Sequence, residues 1–281
     1  MYSLITTVYN EEASILSFIQ SLNKQTIYPN EFIIVDGGST DKTLDLINES
    51  ISEKINYKLI VDDTCNKKHT VGPIAKGRNV AIKNTKHENI LVTDAGCVLD
   101  ENWVKQMIHS FEKQNADIVS GWYKANVSNK FQSKIADIFC PPINKINKKT
   151  FLPSSRSLGF KKWLWKKVGG YPENSYTAED TLFDIKIFKL TDNIVFNEKA
   201  FVYWDVPFDK EELNKKLFEY GFGEGRLRIF LFHYIMRLAL LICFPILLLL
   251  ILLKYKNIMT FRFYYYQLKG YIKGYYLKLE K

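Results

Sequence analysis

The stretch Phe32-Ile33-Ile34-Val35-Asp36-Gly37-Gly38-Ser39-Thr40-Asp41 decides the fold. Four apolar residues in a row, without polar alternation, describe a strand covered on both faces. The run ends on a carboxylate, and two glycines then allow a tight turn and close approach of a ligand to the backbone. The Ser39-Thr40-Asp41 cluster can cap a helix, which the pattern carries to about Glu53.

The same unit repeats on either side. Leu4 to Val8 reads as a strand, and Glu11 to Lys24 as a helix with Ile15, Leu16, Phe18, Ile19 and Leu22 on one side. Tyr57 to Val61, Ile90 to Thr93 and Ile118 to Ser120 read as strands; Gly72 to Asn84 and Glu101 to Lys113 read as helices. Alternating apolar strands and helices predict an α/β fold with a mostly parallel central sheet, covered by helices on both faces. Ligands of such sheets bind at the carboxyl ends of the strands. Tyr9-Asn10-Glu11, Asp36 and Asp94 fall at those ends.

From Asn126 to Pro153 the pattern loosens, with Pro141-Pro142 and Lys148-Lys149 suggesting a connecting or mobile segment. It returns over Lys161 to Val168, Glu179 to Leu190 and Glu211 to Tyr220.

The composition is that of a folded chain: 281 residues, 47% hydrophobic and 25% charged. The net charge of +9 is localised, because residues 226–281 carry ten Lys and Arg and one acid, Glu280, while residues 1–225 sum to zero. A nucleic-acid partner would call for a basic patch on the folded domain. Here the basic residues flank an apolar run, which points to anionic lipid instead. Leu238 to Leu253 is uncharged and would be about 24 Å long as a helix, short of a bilayer core of about 30 Å. Pro245 would kink it, and the Tyr- and Lys-rich segment after Tyr264 suits a membrane interface. The expectation is therefore residues 1–225 as the catalytic domain and residues 226–281 as a hydrophobic, basic and aromatic helical segment that dips into the membrane or lies on it, with a full span from Ile229 to Leu253 as the other arrangement.

Cys65, Cys97, Cys140 and Cys243 form no CxxC pair, as in a reducing compartment. The first residues carry no basic leader before the apolar strand. The expectation from both features is a catalytic domain in the cytoplasm.

Single residues leave their roles open. Asp36 and Asp94 are candidates for ribose or metal contacts, but strand-end acids often only shape turns. Arg78 could meet phosphate or a base edge, or simply be exposed. Glu179-Asp180 could supply a general base, or only favour a helix start. Tyr220-Gly221-Phe222-Gly223-Glu224-Gly225-Arg226 reads equally as a mobile gate and as a linker.

Taken together, six stretches resemble the family-2-type glycosyltransferases with the GT-A fold. They are Thr6-Thr7-Val8-Tyr9-Asn10-Glu11-Glu12, Val35 to Asp41, Gly77-Arg78-Asn79, Thr93-Asp94-Ala95-Gly96-Cys97, Gly169-Gly170-Tyr171-Pro172-Glu173 and Glu179-Asp180. The resemblance covers roughly residues 1–225 and implies a GT-A-type fold. It implies that Thr7, Tyr9, Glu11 and Asp36 border a nucleotide base that Arg78 helps to hold. Asp94 would lie near the ribose and a diphosphate-bound Mg²⁺ or Mn²⁺. Asp180 would be the base of an inverting transfer, with Glu179 orienting it or touching the acceptor. The donor would be a nucleoside-diphosphate sugar, a UDP-sugar above all, and the acceptor a glycan or lipid-linked hydroxyl at the membrane.

The chain departs from the family pattern at Gly96, where the second acid of the Asp-any-Asp motif would stand. A metal would lose a carboxylate there, although Mg²⁺ can bind through fewer carboxylates plus phosphate and water. Lys76, Lys161 or Arg226 are candidate cations for the leaving group instead. Two other readings stand beside this one: a nucleotidyltransferase, and a non-catalytic membrane scaffold with a degenerate site.

Overall fold

The computed structural model describes residues 1–243 and 258–277. Eight strands form one sheet: β1 (Tyr2–Val8), β2 (Glu31–Asp36), β3 (Tyr57–Val61), β4 (Asn89–Val92), β5 (Cys97–Leu99), β6 (Ile118–Asn126), β7 (Leu158–Lys161) and β8 (Ile194–Asp205). Their spatial order is β3-β2-β1-β4-β7-β6-β8-β5.

Side chains from successive positions of a strand point to opposite faces, and both faces are dry. Leu4 of β1 and Phe32 and Ile34 of β2 pack with α1 (Ile15–Asn23) and α4 (Trp103–Lys113); Ile5, Ile33 and Val35 pack with α3 (Pro73–Asn84) and α7 (Glu179–Ile187). This is why these strands read as unbroken apolar runs.

The parallel expectation holds for β3-β2-β1-β4 and is corrected beyond it. β7 is antiparallel to both β4 and β6, β6 runs parallel to β8, and β5 runs antiparallel to β8. The sheet is mixed. β5 and β7 span only three and four residues, too short for a periodic signature, and Asn197-Glu198-Lys199 interrupts the pattern of β8.

The remaining helices are α2 (Thr43–Ser50), α5 (Lys130–Phe139), α6 (Lys162–Val168), α8 (Lys210–Arg226), α9 (Leu231–Cys243) and α10 (Ile258–Tyr276). The 126–153 segment therefore contains a helix where a loose connection was expected. Asn129 caps it by accepting from the Gln132 backbone N–H at 2.8 Å. The glycines of the expected gate or linker lie inside α8. Gly221, Gly223 and Gly225 are buried, and α8 continues through Arg226.

α10 runs parallel to α8 at backbone contact. A Cβ on Gly225 would meet the Tyr271 carbonyl oxygen at 2.2 Å, and one on Gly270 or Gly274 would meet the Phe218 or Phe222 carbonyl oxygen at 2.1 Å. Small residues four apart on both helices permit this approach. No described helix is long and apolar enough to cross a membrane. Most of the Leu238–Leu253 run lies outside the described residues.

Candidate active site

Parallel pairing fixes the site's first edge. Val8 pairs with Asp36, and Ile5 with Val92, so Tyr9, Gly37 and Asp94 emerge at the same carboxyl edge. Two loops are stitched together there: the Asn10 N–H donates to Ser39 Oγ at 2.9 Å, and the Thr40 N–H to Asn10 Oδ1 at 2.8 Å. A cleft of about 470 Å³ opens over this edge, with Thr7, Tyr9, Glu11, Arg78, Asp94, Glu179 and Asp180 among its lining residues.

Asp36 does not line it. Its buried carboxylate accepts from the Gly38 and Ser39 backbone N–H groups at 2.8 and 2.9 Å and from Ser39 Oγ. The side chain shapes the turn, and Gly37 presents the backbone to the cleft.

Arg78 is 3% exposed, which removes the surface reading. One guanidinium nitrogen donates to Asp94 Oδ1 at 2.7 Å and another to Glu179 Oε1 at 2.8 Å. Its neighbour Asn79 explains two motifs at once. Asn79 Oδ1 accepts from the Tyr171 N–H at 2.8 Å, and Nδ2 donates to the Tyr171 carbonyl at 2.9 Å and to Glu173 at 2.8 Å. Gly170, with a φ of +87°, brings the chain against Asn79. The Gly77-Arg78-Asn79 and Gly169 to Glu173 stretches thus form one brace that delivers α7 to the cleft.

Glu179 and Asp180 open α7. Burial first, and repulsion from Asp180 second, push Glu179 up to about 7 against the pull of Arg78. Burial acts to raise Asp180 as well, but Arg78, the Ser154 hydroxyl and Arg156 together hold it below the usual carboxylate range. Asp180 stays ionised while its neighbour titrates near neutrality, a divergence typical of functional carboxylates. Behind it Asp184 is fully buried, accepts from the Ser154 N–H at 3.1 Å, and is pushed well up by burial and by Asp180.

A second cavity of about 220 Å³ adjoins the cleft. Asp180, Arg156, Trp204 and Tyr220 line both, while Phe139, Leu152 and Phe263 line the second alone. Asp180 therefore stands where the two spaces meet.

Arg156, Trp204 and Lys216 were not legible in the sequence. The Arg156 guanidinium lies 3.9 Å from the Trp204 ring centre, and Lys216 Nζ lies 4.4 Å from it. Arg156 donates to Ser154 Oγ at 3.3 Å and Tyr220 Oη at 3.2 Å, and its buried Nε has no partner. The cations expected from sequence lie elsewhere: Lys161 pairs with Asp117 at 2.7 Å, Arg226 donates to the Asn174 carbonyl at 2.6 Å, and Lys76 is not among the cleft residues.

As side chains alone, the described residues at the family's metal position fit a divalent ion poorly. Asp94 commits an oxygen to Arg78, Gly96 faces open space without a ligand atom, and no three acidic, His or Cys side chains cluster suitably among the described residues.

The model of the family described as "Glycosyl transferase family 2" matches residues 3–182. The chain is 28% identical over 206 residues to the poly(ribitol-phosphate) beta-N-acetylglucosaminyltransferase TarS of Staphylococcus aureus (strain MW2), covering 72% of this chain and 35% of that protein. It thus spans about a third of that relative's length. It is 21% identical to the O-antigen chain rhamnosyltransferase RfbN of Salmonella typhimurium, covering 78% of this chain and 71% of that one. Among solved structures, S. aureus TarS 1–349 in complex with UDP-GlcNAc superposes with a TM-score of 0.58 at 23% identity, covering 80% of this chain and 64% of that one. That likeness is one of fold.

Proposed function

The chain belongs to glycosyl transferase family 2, and from that premise we propose that it transfers a sugar, with inversion, from a nucleoside-diphosphate sugar to an acceptor hydroxyl. The observation that carries this reading is the place of Asp180. It lines both the large cleft and the adjoining cavity, so a donor in one and an acceptor in the other would meet at its carboxylate.

In the reaction, the acceptor oxygen forms a bond to the anomeric carbon as the bond from that carbon to the diphosphate oxygen breaks. The electron pair leaves with the nucleoside diphosphate, and the acceptor proton goes to Asp180. Such a base contributes about 10²–10⁴-fold. Arg78 fixes the scaffold by holding Asp94 on the donor side and Glu179 beside the base.

UDP-sugars are the proposed donor class, supported by the UDP-GlcNAc bound in the TarS structure. A polymeric or lipid-linked glycan is the proposed acceptor, in keeping with the relatives named for poly(ribitol-phosphate) and for the O-antigen chain. Attachment to the cytoplasmic membrane face belongs to the same proposal. Its support is the basic excess of residues 226–281 and the exposed Phe232, Ile235 and Met236 of α9. The direct test is release of UDP from a panel of UDP-sugars by purified protein. Turnover with no member of the panel, with or without polyol-phosphate acceptors, would reject the reading.

A further inference from the structure

The cleft is crowded with acids. Glu11, Asp94, Glu179 and Asp180 all line it, yet the leaving group of the proposed reaction carries at least two negative charges. Something cationic must face it. Arg78 is spent, since two of its nitrogens are tied to Asp94 and Glu179. Lys67 sits over the Tyr176 ring at 3.6 Å, beside Asn66 and Cys65 near the β2 turn.

Arg156 and Lys216 differ from Arg78 in making no ion pair with a carboxylate among the described residues. They differ from Lys67 in facing Asp180's side of the cleft, where both pack on Trp204. A buried guanidinium Nε without a hydrogen-bond partner is costly, and an anion that accepts from it would remove the cost. Their position is also specific. β5 pairs with β8 so that Cys97 lies opposite Trp204. Trp204, which carries both cations, thus pairs one residue beyond Gly96, where the family's second acid is missing and a Cβ would meet nothing within 4 Å, and Gly96, Arg156, Trp204 and Lys216 line the same cleft.

We propose that Arg156 and Lys216, both packed on Trp204, bind the diphosphate of the donor and neutralise it as it leaves, in the role that a second motif acid and its metal would otherwise fill. This rests on the transferase reading above. The anion is a nucleoside diphosphate. A planar fork and a point charge together can reach two phosphate groups.

The test is calorimetric titration of UDP and of uridine in EDTA. It uses the full chain, the Arg156→Gln and Lys216→Met variants, and Arg156→Lys as a charge-preserving control. The expected result is metal-free UDP binding that is tighter than uridine binding. Each neutralising variant should lose about tenfold or more in UDP affinity and keep its uridine affinity within about twofold, as expected for loss of a phosphate contact alone. Arg156→Lys should recover part of the loss. UDP binding that needs Mn²⁺ and is unchanged in both variants would overturn the inference while leaving the transferase reading standing. So would a loss confined to the acceptor KM. Failure of the wild-type chain to bind uridine and UDP alike would remove both.

Discussion

A Cβ on Gly221 of α8 would come within 1.9 Å of the Gln267 carbonyl oxygen of α10. Two helices touch there backbone to backbone, and the contact reaches the site. Two residues along, about half a turn of the helix, Gly223 presses on Thr177, whose carbonyl oxygen a Cβ would meet at 2.3 Å. Thr177 itself donates to the Glu219 carbonyl at 2.6 Å, two residues before Glu179.

Gly221→Ala should therefore destabilise the fold by about 1–3 kcal/mol or more, the cost of overpacking a filled contact. Gly223→Ala should lower turnover more than it lowers stability, because it displaces the residues that set α7. Denaturant unfolding alongside initial-rate assays separates the two. Equal stability of Gly221→Ala and wild type would refute the close packing.

Asp180→Asn should reduce turnover by about 10²–10⁴-fold with UDP affinity within about threefold of wild type, since the amide keeps the size of the group and loses only the base. Retention of more than about a tenth of the activity, a loss too small for a general base, would place the base elsewhere.

Arg78→Met should cost about 3–5 kcal/mol, the typical penalty for stranding a buried partner. Glu179 is 5% exposed and would lose the one cation it pairs with among the described residues. The double variant Arg78→Met/Glu179→Gln should recover part of that loss in urea melts. Strictly additive losses would show that the pair is not coupled.

Gly96→Asp should be tolerated, because open space surrounds that position. It should place a second carboxylate near Asp94 and make UDP binding more responsive to Mn²⁺. Titration of UDP with and without Mn²⁺ in this variant reads the effect. A metal response identical to wild type would mean that the two carboxylates do not converge.

Asp184 gives a pH prediction. Its folded-state value is raised, so above the ordinary Asp range of about 3.9 the native state holds a proton that the unfolded chain has released. Stability from this group falls as pH rises through that window. Asp184→Asn removes the titration, so its melting temperature should gain on wild type as pH increases from 4.5 to 8. A constant difference across that range would contradict the assignment.

The sequence by itself determined the α/β architecture and the edge of the sheet that carries the site. Unbroken apolar runs such as Phe32 to Val35 can only be strands covered twice, and parallel pairing then forces their polar ends together. Glu179-Asp180, Arg78 and Asp94 were legible as parts of a pattern of short motifs. The tertiary structure alone decided how those residues are used. Asp36 turned inward to hold its own turn, since two backbone N–H groups needed an acceptor there. Asn79, unremarkable in a helix, became the clasp for a loop some ninety residues away. Arg156, Trp204 and Lys216 lie on a turn, a strand and a helix far apart in the chain with no local signature, and the α8 glycines acquire meaning only against those of α10. Local pattern records whether a residue is buried; which partner buries it is set by long-range packing.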